Sequence, residues 1–346
     1  MIGFDSNKYL EEEYKAILDR ISKFDGKLYL EIGGQLLFDR HASSVLPGFD
    51  PTVKVKILKK FDNIEFLFCV NNYDIFNNRP IDNGQIDYIQ SIIDKLDKLK
   101  TTFNKPIHVV INLLPTDGDI DPTVLKFINE IQSLGYLVFK RYAIDNYPND
   151  VGKILSGNGF GRDDYITTTS KLVIVTGPAS NSGKLSTCLG QIYLDKLKGI
   201  ESGYAKYELF PIWNLPVNHP VNLAYEAATA DIGDFNEVDK LYDVPDIDAT
   251  NYNRDVEAFK IIDGLGKKIV SDNSYLKTYT SPTSMGINMA GFCIINDRIC
   301  RVAAIKEIKS RIKMYKQLLS IGKGYDLWVR RAQDVLIKAQ KSEFQF

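Results

Sequence analysis

Cysteine and histidine are scarce in this chain of 346 residues, which holds four of the first and three of the second. Cys69, Cys188, Cys293 and Cys300 are scattered, three of them inside apolar runs. That pattern argues against a disulfide framework and reads as buried, reduced thiols of a cytoplasmic protein. No two histidines share ligand spacing on one element, so a structural zinc site is not expected. An excess of charge is missing too: Lys and Arg number 43, Asp and Glu 44, for a net −1. A nucleic-acid binder would show a basic excess on one face. No run approaches the ~18 apolar residues of a membrane span, and the acidic start MIGFDSNKYLEEE contains no apolar core of an export signal. Internal repeats and low-complexity tails are absent. Aromatics are plentiful but lie in expected core segments without interleaved basic residues, as packing groups do. The expected partners are therefore small molecules, with neither nucleic acid nor membrane. Trp328 and the apolar residues of the last helix would suit a partner surface, as in a homo-oligomer.

What is present is an alternation of buried strands and amphipathic helices. Helix is expected from about Ser6 to Lys23, capped by Ser6, then strand over Leu28–Ile32 delivering Gly33 and Gly34 into a long loop. That loop carries Asp39, Arg40 and His41, and is either functional or packed as an Ω-loop. Val53–Leu58, Ile64–Val70, Ile107–Leu114 and Tyr136–Tyr142 read as strands; Ile86–Leu99 and Pro122–Leu134 read as helices. Further on, strand is expected over Gly203–Lys206 and Lys268–Val270 and helix over Asn222–Ile232 and Val256–Ile262. An extended polar surface segment is expected over Glu237–Asp255, and a hairpin over Phe292–Arg301 turning at Asn296 and Asp297. Helices from Val302 to Leu319 and from about Asp326 to Gln340 close the chain. Such alternation implies crossover connections and a doubly wound α/β fold with a mostly parallel sheet, plus C-terminal helices. The length suggests an N-terminal half over residues 1–165, a second half over 166–321 and a final helix over 322–346. The glycine-punctuated segment before residue 171 is either a domain boundary or an excursion within one sheet.

The stretch with most chemical content is Lys171 to Cys188, KLVIVTGPASNSGKLSTC. It passes from a β-branched apolar run through a loop of small residues into a helical pattern at Gly183. Strand, glycine-bounded loop, Lys and hydroxyl residues are the layout that cradles phosphates, through loop N–H groups, a helix N-terminus and a lysine. The spacing departs from a regular P-loop. Five residues, not four, separate Gly177 from Gly183, and Leu185 stands where the metal-binding hydroxyl belongs. The expected phosphate ligands are Gly177, Ser180, Asn181, Ser182, Gly183, Lys184, Ser186 and Thr187. The competing structural reading gives the glycines only a tight strand-to-helix turn.

Several blocks together resemble a bacterial family catalogued as domain of unknown function 1846, also called uncharacterised protein family 0371. They are GKLYLEIGGQLLFDRHASSVLPGFDP, GNGFGRDDYITT, TGPASNSGKLSTC, GYAKYELFPIWNLPVNHPVNLAYEAATADIGD, TNYNRDVEAF and SPTSMGINMAG, in order, across roughly Gly3 to Arg311. The resemblance implies kinship and fold but no particular reaction. Its members usually carry a glycine-richer loop with Met after the lysine, so a missing hydroxyl there is a family habit. They are also longer, which implies a short member lacking a C-terminal portion. The loop by itself resembles that of dethiobiotin synthetases, which share the longer spacing, and Lys206 resembles the lysine those enzymes place opposite it.

The candidate catalytic residues are Lys184, Lys206 and His41. Lys184 is a phosphate ligand or a solvated lysine at a helix start; Lys206 ends a strand beside the loop; His41 is the better acid–base candidate, whereas His219 reads as a hydrogen-bonded structural residue. Ser186, Thr187 and Glu208 are the candidate metal ligands. Asn251, Asn253, Arg254 and Asp255 form a polar block that binds an anion or caps a helix. The leading functional expectation is an ATP- and Mg²⁺-dependent enzyme of ligase or kinase type acting on a small molecule. The alternatives are a transferase or hydrolase that binds a phosphorylated substrate without ATP, and a non-catalytic binding protein. In an open α/β sheet the loops Gly33–Ser44, Ala205–His219 and Ser281–Asn288 should converge on the helix start at Lys184.

Overall fold

The computed structural model describes residues 1–79, 87–244 and 248–343. Its centre is a seven-stranded sheet, parallel throughout, with the order β4-β3-β2-β5-β1-β6-β9. The strands are β1 (Lys27–Ile32), β2 (Ile64–Asn71), β3 (Ile107–Leu114), β4 (Leu137–Tyr142), β5 (Leu172–Thr176), β6 (Ser202–Tyr207) and β9 (Gly286–Ile287). A separate antiparallel pair, β7 (Asn236–Val238) and β8 (Thr250–Tyr252), stands beside it. β1, β2 and β5 are buried along their whole length, as expected of strands covered on both faces. Longer helices are α1 (Ser6–Ser22), α2 (Tyr88–Phe103), α3 (Pro122–Ser133), α4 (Lys184–Leu197), α5 (Pro220–Ala228), α6 (Asn253–Ile261), α7 (Asp297–Ser320) and α8 (Asp326–Glu343). The expected helix start at Ile86 lies outside the described residues; α2 is capped by Asp87, whose carboxylate accepts from Gln90 N–H.

The connections reverse at the middle of the sheet. After β1 the chain moves toward β2, β3 and β4; it then returns to place β5 between β2 and β1, and moves on to β6 and β9. β1 and β5 are therefore neighbours whose following segments diverge, which opens a crevice beyond their carboxyl ends. Residues 1–165 and 166–321 both contribute strands to this one sheet. α8 packs on α5 and α7, and Trp328 is half-buried against Tyr315 and Tyr325.

Five local readings of the sequence are corrected. Val53–Leu58 is helical: Asp50 accepts from the N–H and hydroxyl of Thr52, and Val53 N–H closes a turn on Asp50 O. The apparent strand alternation VKVKIL misleads because Lys54, nominally its outward side, is buried. The Asn296–Asp297 pair does not turn a hairpin; Asn296 caps α7 through Ile299 N–H, with Asp297 in the first turn where the dipole favours it. Lys267–Ile269 is helical and not a strand. The polar stretch Glu237–Asp255, of which 245–247 lie outside the described residues, is a surface segment only in part: Leu241 and Val244 are exposed, but its end supplies β8 and the start of α6, with Thr250, Asn251, Tyr252 and Asp255 buried. At the N-terminus the helix cap is Asp5, accepting from Asn7 and Lys8 N–H, and not Ser6.

Candidate functional site

The sheet's carboxyl edge opens into a cavity of about 940 Å³ around the crevice. Its wall includes the whole segment from Thr176 to Ser186, the turn Gly33–Phe38 after β1, Asn112 and Leu113 at the end of β3, Arg141 on β4, and Lys206 and Glu208 at the end of β6. Lys184, Lys206, Ser186 and Glu208 are thus brought together, whereas His41 and Thr187 are not.

Two glycines let the loop close on its neighbours. A Cβ at Gly177 would fall 2.5 Å from Ser182 Oγ and 2.6 Å from Cys69 O. Gly183 has φ +87°, and a Cβ there would meet the Asn112 side chain at 2.6 Å. Four of the loop's carbonyls are taken by side chains from neighbouring segments. Lys95 Nζ donates to Pro178 O at 2.7 Å, Arg79 Nη1 to Ser180 O at 3.4 Å, Asn71 Nδ2 to Asn181 O at 3.1 Å and Asn112 Nδ2 to Ser182 O at 3.0 Å. In a planar trans peptide the N–H points opposite to the C=O, so holding these carbonyls on their donors also fixes the direction of the following N–H groups. α4 begins at Lys184 with no side-chain cap from Gly183, which leaves its first amides to be satisfied from outside.

Lys184 Nζ lies 3.9 Å from Glu31 Oε1, while Glu31 Oε2 accepts from Tyr204 Oη at 2.9 Å. Glu31 is a residue the sequence reading missed. The signal was there, since a carboxylate interrupts LYLEI, a strand otherwise apolar and expected to be buried. Leu185 lines the cavity at the metal-hydroxyl position. Thr187 cannot replace that hydroxyl: it is fully buried, donating to Asn112 Oδ1 at 3.1 Å with Cys69 Sγ at 3.4 Å. Ser186 does line the cavity, but two residues turn a helix by about 200°, so it faces away from Lys184 and its carbonyl accepts from Arg141 at 2.9 Å. Among the described residues no group of three or more His, Cys, Asp or Glu is placed to hold a metal ion.

Lys206 is enclosed by carboxylates: Glu208 Oε2 at 2.8 Å, and Asp255 in a short hydrogen bond. Burial opposes its charge, yet Asp255 and Glu208 outweigh that and raise its pKa above the ordinary lysine range. Burial and the negative charge of Asp255 push Glu208 up to about 8, while Asp255, although buried, is held low chiefly by Lys206. At neutral pH the trio is a protonated Glu208 beside an ionised Lys206–Asp255 pair. Glu208 is therefore a poor metal ligand, and Lys206 has no unspent charge for an anion. The polar block is likewise internally satisfied, with Arg254 on Asp234 at 2.7 Å and Asn251 on Asp239 and Thr283. Of the Ser281–Asn288 loop, Pro282, Thr283 and Met285 to Asn288 line a second, small cavity of about 40 Å³ behind Lys206, Glu208 and Asp255.

A consequence of the Glu208 environment can be tested directly. The folded state keeps this proton up to about pH 8, whereas an unfolded Glu loses it near its ordinary value of 4.5. Between those values the unfolded state binds fewer protons, so stability falls as pH rises. Glu208→Gln cannot titrate; melting temperatures from pH 5 to 9 should decline less steeply for the variant than for the wild type, and parallel curves would contradict the assignment.

His41 lies in a short helix capped by Asp39, edge-on to the rings of Phe210 and Tyr225. Its Nδ1 is 3.6 Å from Glu307, too long for a hydrogen bond. It is a packing residue under the loop and is removed from the catalytic candidates. Glu307, whose burial favours the neutral form, is nevertheless held down to about 2 by the neighbouring His41 and Arg311. His219 is structural: Nδ1 accepts from Val221 N–H at the start of α5 and Nε2 meets Asp297 Oδ1 at 2.8 Å.

Fold and crevice together define a doubly wound parallel α/β protein with its candidate site at the switch point. The family model described as domain of unknown function DUF1846, N-terminal, matches residues 2–340, and the chain belongs to that family. Similar relatives include UPF0371 proteins of Streptococcus equi subsp. equi (strain 4047) and Streptococcus pyogenes serotype M5 (strain Manfredo). Each is 42% identical over 320 residues, covering 92% of this chain and 63% of the relative. A UPF0371 protein of Streptococcus equi subsp. zooepidemicus (strain H70) is 42% identical over the same share of this chain and 62% of its own length. The chain thus spans under two thirds of the curated relatives it matches. Among the described residues no helix is long and apolar enough to cross a membrane.

Proposed function

We propose that this protein is a nucleotide-dependent enzyme of small-molecule kinase type, holding the phosphates of ATP on the loop Gly177–Lys184 and an uncharged hydroxyl-bearing acceptor beside Lys206, Glu208 and Asp255. The observation that carries the reading is that the loop, the uncapped start of α4 and Lys184 share one cavity with that proton-holding trio. A volume near 940 Å³ is at the upper end of ordinary ligand pockets and has room for two substrates. The electrostatics favour a neutral acceptor over the carboxylate substrate of a ligase. Lys206 and Arg254 are each spent on a carboxylate, and the same wall adds two further acids, Glu31 beside Lys184 and Glu257 paired with Lys260. In the transfer, the acceptor oxygen attacks the γ-phosphorus, its bond to the ADP oxygen breaks, and the hydroxyl proton passes to the ionised Asp255. Mg²⁺ brought by the nucleotide would keep most of its water and phosphate ligands, with Glu31 the best-placed carboxylate. The four cysteines, all unpaired and buried, support a cytoplasmic setting.

A second reading keeps the loop as a phosphate site for a phosphorylated substrate, without ATP; Leu185 in the hydroxyl position favours it. Isothermal titration of ATP with and without Mg²⁺ separates the two. The kinase reading expects saturable binding that tightens with Mg²⁺. Binding of inorganic phosphate or sulfate but not ATP would select the second, and binding of none of these would overturn both.

A further inference from the structure

Leu113 is the one exposed residue of an otherwise buried strand, β3. The register of β3 against β4 shifts between Ile111 and Leu114, and within that bulge Leu113 has φ +65°. A bulky side chain is rarely found in the left-handed region, and bulges of this kind re-aim a side chain. Regular pleating would have left this leucine in the core, where its burial is favourable. Instead the backbone turns it into the cavity, 38% exposed. The strain is held from both sides: Asn112 is bonded to Ser182 O and Thr187 Oγ1, and Leu114 O accepts from Ala143 N–H. Strained residues over-determined by their surroundings cluster at ligand sites.

The neighbours extend the feature. Ile144 and Tyr147, which follow β4, and Pro178 of the loop line the same cavity on this side, so an apolar shelf stands at the β3–β4 end of the sheet edge. Lys184 and Glu31 lie at the β1 end, with the Lys206 trio beyond on β6. We infer that the shelf of Leu113, Ile144, Tyr147 and Pro178 takes the base of the nucleotide. The ligand then runs across the sheet edge, its terminal phosphate toward Lys184. This inference rests on the nucleotide reading above and adds the orientation and the group that selects a nucleotide over a bare phosphate chain.

The test compares ATP with inorganic tripolyphosphate by isothermal titration on the wild type, Leu113→Asn and Leu113→Gly. Both replacements tolerate the left-handed backbone, so each should fold at least as well as the wild type. The expected result is a Kd for ATP raised about ten-fold, as loss of part of a leucine's apolar contact implies, with the Kd for tripolyphosphate unchanged. Equal effects on the two ligands, or none on ATP, would overturn the shelf while leaving the phosphate site standing. A wild type that binds neither ligand would remove the nucleotide reading and the shelf with it.

Discussion

Lys184→Ala should weaken ATP binding at least ten-fold while moving the melting temperature by no more than a degree or two. The side chain's only ion pair, among the described residues, is a loose one of 3.9 Å to Glu31, beyond hydrogen-bond reach. As a cation at a helix N-terminus it also opposes the dipole of α4. Its removal thus costs the fold about 0.5 kcal/mol or less. Against a bound triphosphate it would supply a charge-assisted contact of roughly 1.5–3 kcal/mol, or about ten-fold or more in affinity. Calorimetric Kd and melting temperature measured on the same variant give the comparison. A large loss of stability would show that the lysine is a structural part, and unchanged affinity would show that the loop is only a turn.

The largest effect on stability is expected from Asp39→Ala. Lys54 is 1% exposed, with its Nζ bonded to Asp39 Oδ2 at 3.1 Å and to the carbonyls of Gly33 and Gln35 at 3.2 and 3.1 Å. Removing the carboxylate leaves an ammonium buried without countercharge, for which about 3–5 kcal/mol is the usual cost of breaking a buried pair. Lys54 also pins the turn after β1 that walls the cavity, so the variant should lose ligand affinity as well. Asp39→Ala together with Lys54→Met removes both charges and should recover much of the stability, since well-packed apolar replacements of buried pairs are often tolerated. Chemical denaturation of the single and double variants measures this, and additive losses in the double variant would contradict the pairing.

The element legible from sequence alone was the one whose hydrophobic period changes sharply. In KLVIVTGPASNSGKLSTC the β-branched run, the small-residue loop and the helical pattern each carry a distinct local signal, and β5 and α4 begin and end close to where those signals change. The readings that failed did so where polar residues are satisfied by distant partners. Lys54 looks like the outward side of a strand because its three acceptors lie 15 to 21 residues away. The run Glu237–Asp255 looks solvated because Asp255 finds Lys206, and Asn251 finds Thr283, only after folding. Asn296–Asp297 suits a turn and a helix cap equally well by composition, and tertiary packing of α7 decides. Asn112 and Arg141 were invisible as site residues because strand order alone brings them to the loop, whereas Glu31 carried a signal as a lone carboxylate in an apolar strand. His41 attracted a catalytic reading through its loop, but the fold spends it on packing against Phe210 and Tyr225.

The central claim is that phosphate binds at the start of α4. A crystal structure with ADP or a non-hydrolysable ATP analogue and Mg²⁺ tests it most directly. The account predicts phosphate oxygens within hydrogen-bond reach of the loop amides over residues 179–183 and of Lys184 Nζ. A ligand whose phosphates sit elsewhere in the cavity, with Lys184 still on Glu31, would contradict it.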